Sequence, residues 1–160
     1  MAPGGALPSL GLHMIDTMTW LLGPIARVAC ICKRQALAVD IDDTTAALLE
    51  FAAGPTGTLA THFACPLTSL FRLQGTAGNV EARDDFTRLA WHPAGPDARP
   101  EERPLAVNDT LVDELAAFVD ACEGGPPFPV VPAQAIHNVA VMEAMVRSAA
   151  RAGAFELVAG

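Results

Sequence analysis

Apolar and polar residues alternate with two different periods along this chain, and the changes of period mark its elements. Residues 10–22 repeat apolar side chains at helical spacing, with Leu10, Met14, Met18, Leu21 and Leu22 available for burial, until Gly23-Pro24 stops the run. Ser9 stands where its hydroxyl can accept from a free first-turn amide, so it is the expected N-cap. Residues 25–36 are nearly continuous in apolar character through Ile25, Val28, Cys30 and Ile31, which predicts a strand covered on both faces. In 38–43, Val39 and Ile41 take one face and Asp40 and Asp42 the other. Runs 44–51 and 57–64 flank Gly54-Pro55-Thr56-Gly57, and runs 70–74 and 79–83 flank Gly75-Thr76-Ala77-Gly78. Both patterns predict antiparallel hairpins.

The second half is more helical. Residues 91–107, broken by Pro93, Pro96, Pro100 and Pro104, read as a loop ending in a short strand at 104–107. Asn108 or Asp109 caps a helix over 110–122 whose inner face carries Leu111, Leu115, Phe118 and Val119. Pro132 opens a last helix over 133–152, with Ile136, Val139, Met142, Met145 and Val146 buried and Glu143 paired with Arg147 at the surface. Gly153 ends that helix, and 154–158 is a closing strand. The expected class is α+β, a mostly antiparallel open sheet with helices packed on one face, in one domain spanning 1–160.

Composition narrows the function. The 160 residues, 51% hydrophobic with a mean hydropathy of +0.32, can bury a sizeable core. A net charge of −8 argues against nucleic acid and anionic membrane surfaces. No apolar run is long enough to span a membrane, and the first five residues lack the order of a secretory leader. Cys30, Cys32, Cys65 and Cys122 lack zinc spacing. Cys30 and Cys32 share one strand face as small core residues, and reduced thiols in a cytoplasmic protein are expected. Asp42-Asp43 looks like a metal pair, but adjacent strand residues diverge, so a strand-leading turn is the reading. The Gly75–Gly78 tetrad has neither a lysine nor a following helix, so it too is a turn.

Candidate chemistry gathers near the start. His13, Asp16 and Trp20 are spaced to share one helix face. An imidazole exchanges protons near neutrality at its ordinary pKa of about 6.5, and a carboxylate beside it can orient the ring. The alternative is a helix histidine bonded to a backbone carbonyl. His62 and Arg72 sit on hairpin strands and either line a pocket or lie at an exposed or interfacial position. His137, on the last helix, reads as packed or exposed rather than catalytic.

The stretch Gly4-Gly5, Leu7, Gly11, His13, Ile15-Asp16, then Trp20-Leu21-Leu22-Gly23, resembles the opening of the C-terminal domain of the Gfo/Idh/MocA oxidoreductases, the relatives of glucose–fructose oxidoreductase and inositol dehydrogenase. The likeness continues in order through 39–51, 54–59, 73–81, 109–125 and 131–157. It implies that His13 is a catalytic acid/base on a substrate hydroxyl, and that Asp16 matches an acidic position near the substrate. Ser9 replaces a carboxylate often found four residues before the histidine. The implied substrate is a sugar, polyol or similar hydroxy compound, and the implied cofactor is NAD or NADP.

The dinucleotide fold of that family, with its Gly-x-Gly-x-x-Gly turn and the lysine of a Glu-Lys-Pro segment, has no counterpart in this sequence. The expectation is therefore a substrate-binding and oligomerisation portion, incomplete without a Rossmann domain, with no cofactor bound by this chain alone. The missing part is either a lost half or a separate Rossmann-domain partner. In the resembled domain one sheet face borders the substrate and the other meets a neighbouring subunit, which implies a homo-oligomer through the open face. Two other readings stand beside this one: a stand-alone, non-redox binding or assembly module, and a cofactor-free lyase or isomerase using His13 as base.

Overall fold

In chain order, the computed structural model of Gly5 and residues 7–159 contains a π-helical turn at Leu7–Gly11, α1 at Leu12–Leu22, β1 at Ile25–Lys33, β2 at Thr44–Phe51 and β3 at Thr56–His62. Then come β4 at Leu70–Gly75, β5 at Gly78–Arg83, β6 at Arg88–Pro93, β7 at Glu101–Pro104, α2 at Thr110–Cys122, α3 at Pro132–Ala150 and β8 at Glu156–Leu157. The class is α+β with antiparallel pairing throughout, and the strands divide between two four-stranded sheets, β3-β2-β1-β8 and β4-β5-β6-β7. They belong to two compact units: residues up to Cys65 with those from Pro129 onward, and Pro66–Phe128.

In the first unit, strict alternation sorts the side chains. Val28, Cys30, Thr45, Ala47, Leu49, Phe51 and Leu59 point inward and are buried, alongside Ile15 and Met18 of α1 and Val141, Ala144 and Met145 of α3. The opposite face is open: Ile31 is 50% and Leu48 53% exposed, with Ala46 and Ala60 beside them. β1 is thus covered on one face only, which corrects the two-sided expectation. Its apolar run is continuous because the outward Ala29 and Ile31 are also apolar.

Helix α3 lies on the sheet by a different stripe from the one predicted. It buries Asn138, Val141, Ala144, Met145 and Ser148, while Ile136 and Val139 are exposed. Polar residues turn inward because they carry hydrogen bonds there. β8 pairs with β1 only at Arg27 and Val28, although β1 runs nine residues. Past that point the Cys30 N–H donates to Ser148 Oγ at 2.8 Å, and the same hydroxyl donates to the Ala154 carbonyl at 2.6 Å. At the other end the Ile25 N–H donates to His137 Nε2 at 3.0 Å, so His137 is packed, as expected. Gly153 (φ +84°) turns the chain back toward β1, where a Cβ would press on Ile31 at 3.3 Å. Arg147 does not pair with Glu143; it turns to Glu156 at 3.7 Å and donates to the Leu157 carbonyl.

Segment 38–43 forms bends rather than the predicted alternating stretch. Asp43 is buried, and its carboxylate accepts from the Leu37, Ala36 and Gln35 amides and the Thr44 hydroxyl, which hold its pKa down at about 2. The Asp42-Asp43 pair is a turn closure, as the strand-leading reading required.

In the second unit both strands of the Gly75–Gly78 hairpin form in register. The 91–107 loop is a correction: it contains the end of β6, and the short strand falls at Glu101–Pro104. Charged residues at β7 hid its strand character. Asp109 caps α2, its Oδ1 accepting from the Val112 N–H at 3.2 Å. No residue of α2 is buried, however, and Leu111, Leu115, Phe118 and Val119 are all at least half exposed. An amphipathic stripe states which side is apolar, not what covers it.

Two predictions follow from the β1–α3 contacts. Ser148→Ala removes the acceptor of a buried N–H, an unsatisfied donor that costs about 1–3 kcal/mol. Urea unfolding is expected to show that loss, and an unchanged midpoint would contradict it. His137 must be neutral to accept from Ile25, and burial lowers its pKa. The unfolded chain therefore takes up the proton first. Stability is complete above the ordinary pKa of about 6.5 and declines as pH falls toward the lowered folded value. His137→Gln is expected to flatten that slope below about pH 6.5; an identical slope in the variant would contradict the assignment.

Candidate functional site

The approach to α1 is built on two glycines. Gly5 (φ +45°) lies against the 42–43 turn so closely that a Cβ would sit 1.7 Å from the Asp42 carbonyl oxygen. Gly11 leaves room for Leu7, whose Cδ1 would stand 2.6 Å from an added Cβ, and Leu7 is completely buried. Between them the chain makes one π-helical turn before α1 begins. Ser9 belongs to that turn and is not the cap; Gly11 precedes α1, with no side-chain cap bond. Ser9 remains exposed, four residues before His13 and one turn away along the helix.

His13 is exposed in the first turn of α1, and its ring makes no hydrogen bond to the described residues. Its ring is open to a solute. Asp16 is half-buried and engaged elsewhere. Its Oδ1 accepts from Gln134 Nε2 at 2.7 Å and from Asn138 Nδ2 at 2.5 Å. Asp16 therefore ties α1 to α3, and among the described residues no hydrogen bond joins it to His13. Gln134 and Asn138 were absent from the sequence reading. Their signal was an amide pair at i, i+4 inside an otherwise apolar helix.

Of the other two predicted residues, His62 does not join this group. His62 ends β3 opposite Thr44, next to the inward Thr61, so its side chain lies on the sheet face away from α1 and α3. Arg72 belongs to the second unit, where it and Arg83 both pair with Glu81. Those two guanidiniums hold the Glu81 carboxyl below the usual carboxylate range. An apolar groove of about 390 Å³ in the first unit is lined by Leu7, Pro8, Val139, Met142 and Val146, with Glu143 and Arg147 at its edge. None of Ser9, His13 and Asp16 lines it.

Among the described residues, no three His, Cys, Asp or Glu side chains are grouped to hold a metal, and no helix is long and apolar enough to cross a membrane. The one passage there from strand to helix, β7 to α2, runs through residues 105–109 and contains no glycine. These residues therefore form no glycine-rich cradle for a dinucleotide.

Known proteins place this geometry. A family model described as the GFO/IDH/MocA C-terminal domain matches residues 1–81. D-xylose 1-dehydrogenase (NADP(+)) 2 of Haloferax volcanii is 25% identical over 158 residues, which is 96% of this chain and 48% of the relative. A Desulfitobacterium hafniense protein provisionally described as an NADPH-dependent oxidoreductase superposes with a TM-score of 0.89 at 28% identity, covering 98% of this chain and 49% of its own. Levoglucosan dehydrogenase, solved with NADH and levoglucosan, shares the fold at a TM-score of 0.81 and 21% identity, over 98% and 51% of the two chains. The chain thus spans about half the length of the relatives it matches. With its antiparallel sheet and helix-borne His13 in the matched segment, the chain belongs to the GFO/IDH/MocA family, as a C-terminal domain of that family.

Proposed function

We propose that this chain supplies the substrate-facing half of an NAD(P)-dependent oxidoreductase acting on a sugar, polyol or similar hydroxy compound. His13 is its proton-transfer group. The observation that carries the reading is the contrast between two histidines. His137 is part-buried and occupied as an acceptor, whereas His13 is exposed at a glycine-shaped helix entry, its ring without a hydrogen bond among the described residues. The relatives named for xylose and levoglucosan support the substrate class.

Converting a carbinol to a carbonyl releases a hydroxyl proton as hydride leaves carbon, and His13 would accept that proton or return it in reverse. NAD(P), when bound, supplies the hydride acceptor. We assign no hydride step to the residues described here. The Ser9 hydroxyl, one turn before His13, can donate to or accept from a substrate hydroxyl but carries no charge. Asp16 acts through position, fixing α1 on α3. Free thiols at all four cysteines fit a reducing, cytoplasmic setting.

The open face of β1–β3 supports a second copy of the chain as partner. Ile31 lies opposite Ala46, and Ala29 opposite Leu48, forming a nearly uncharged apolar strip.

Two measurements test this reading. In the enzyme completed with its dinucleotide-binding portion, and with D-xylose and levoglucosan as first substrates, His13→Ala is expected to lower kcat by about 10²–10⁴-fold with circular dichroism unchanged. Full turnover by the variant would remove His13 from the chemistry. Leu48→Asp is expected to reduce the assembly to monomer in sedimentation velocity, and an unchanged sedimentation coefficient would exclude the open face as the interface.

A further inference from the structure

Cys30 and Cys32 take no part in the chemistry above, yet their thiols are in contact with each other in the first unit. Two residues apart on β1, both point to the inward face, and their Sγ atoms are 3.8 Å apart. Cys30 is buried and Cys32 half-buried, with Thr45 Oγ1 3.7 Å from Cys32 Sγ. Backbone on either side is fixed: Ser148 holds the Cys30 N–H, and β2 pairs along all of this part of β1. We propose that this thiol pair is a two-coordinate binding site for a soft monovalent cation, with Cu(I) as the biological case.

Geometry selects a bridging ion over a disulfide. Two metal–thiolate bonds of about 2.3 Å allow their sulfurs to stand up to about 4.6 Å apart, so rotations of the two side chains suffice. A disulfide needs about 2.05 Å between the sulfurs. Residues two apart in a strand have Cα atoms about 6.6 Å apart, at the far limit for such a bond, and closure would pull β1 off β2. Ligand type selects the ion: paired thiolates without imidazole or carboxylate favour Cu(I), whereas structural zinc wants four ligands. No third His, Cys, Asp or Glu is grouped with the pair among the described residues.

The pair is also chemically prepared. The two thiols are in mutual contact, and the Thr45 hydroxyl lies beside Cys32. Binding one monovalent cation to the two thiols releases two protons to solvent as two metal–sulfur bonds form, so the site passes from neutral to a single negative charge.

Cys65 and Cys122 are exposed thiols that would confuse the measurement, so the test uses the full chain carrying Cys65→Ser and Cys122→Ser. Cu(I) is titrated anaerobically against a chromophoric Cu(I) chelator, with native mass spectrometry to count ions. The expected result is one Cu(I) per chain, lost when Cys32→Ser is added with circular dichroism unchanged. X-ray absorption at the copper edge is expected to show two sulfur neighbours and no nitrogen or oxygen, a readout that needs no further variant. One Cu(I) per two chains, retention in the Cys32→Ser variant, a nitrogen or oxygen neighbour, or equally tight Zn(II) binding would each overturn the proposal.

Discussion

A nine-residue strand has a two-residue neighbour along one of its sides, and the first unit depends on how that shortfall is made good. β1 needs partners for its backbone because its inward face is sealed under helices and water cannot serve. Helix α3 provides them with side chains. His137 accepts from the amide that begins β1, and Ser148 accepts from the Cys30 amide just past the last β8 pairing. The helix is thereby fixed in rotation, and its inward stripe includes Asn138 and Ser148 at the expense of Ile136 and Val139.

The candidate site inherits that placement. With α3 fixed, Gln134 and Asn138 present two amides to a single oxygen of Asp16 and so fix α1. His13 lies three residues earlier on α1 and is carried to the surface by the same anchoring. The acid beside the histidine thus serves mainly as a joint between helices. Its Oδ1 is met by two amide donors, and the His13 imidazole stays exposed. The glycines before it have steric duties of their own: Gly5 admits the Asp42 carbonyl, and Gly11 admits Leu7.

Much of this was legible in the sequence, and the exceptions share a cause. Hairpins at 44–62 and 70–83, the cap at Asp109, the proline start of α3 and the glycine stop of α1 are local events, written in turn and cap chemistry. What could not be read was the identity of the neighbour across each face. Ile136 and Val139 looked like core, but buried polar partners turned the helix. Leu111, Leu115, Phe118 and Val119 looked like an inner face, and no described element covers them. Ser9 looked like a cap because the intervening π turn leaves no mark in residue spacing. Spacing and the family resemblance single out His13 and Asp16 as candidates, whereas the partners of Asp16 lie more than a hundred residues away.

The account stands or falls on whether α3 side chains complete the edge of β1. Native-state amide hydrogen exchange, followed residue by residue by NMR, reads this directly. The Ile25 and Cys30 amides are expected to exchange as slowly as those β1 amides that are paired to neighbouring strands, opening only with global unfolding. Fast exchange at Cys30, at the rate of an exposed sheet edge, would contradict the account, because Ser148 would then not be holding α3 to the sheet.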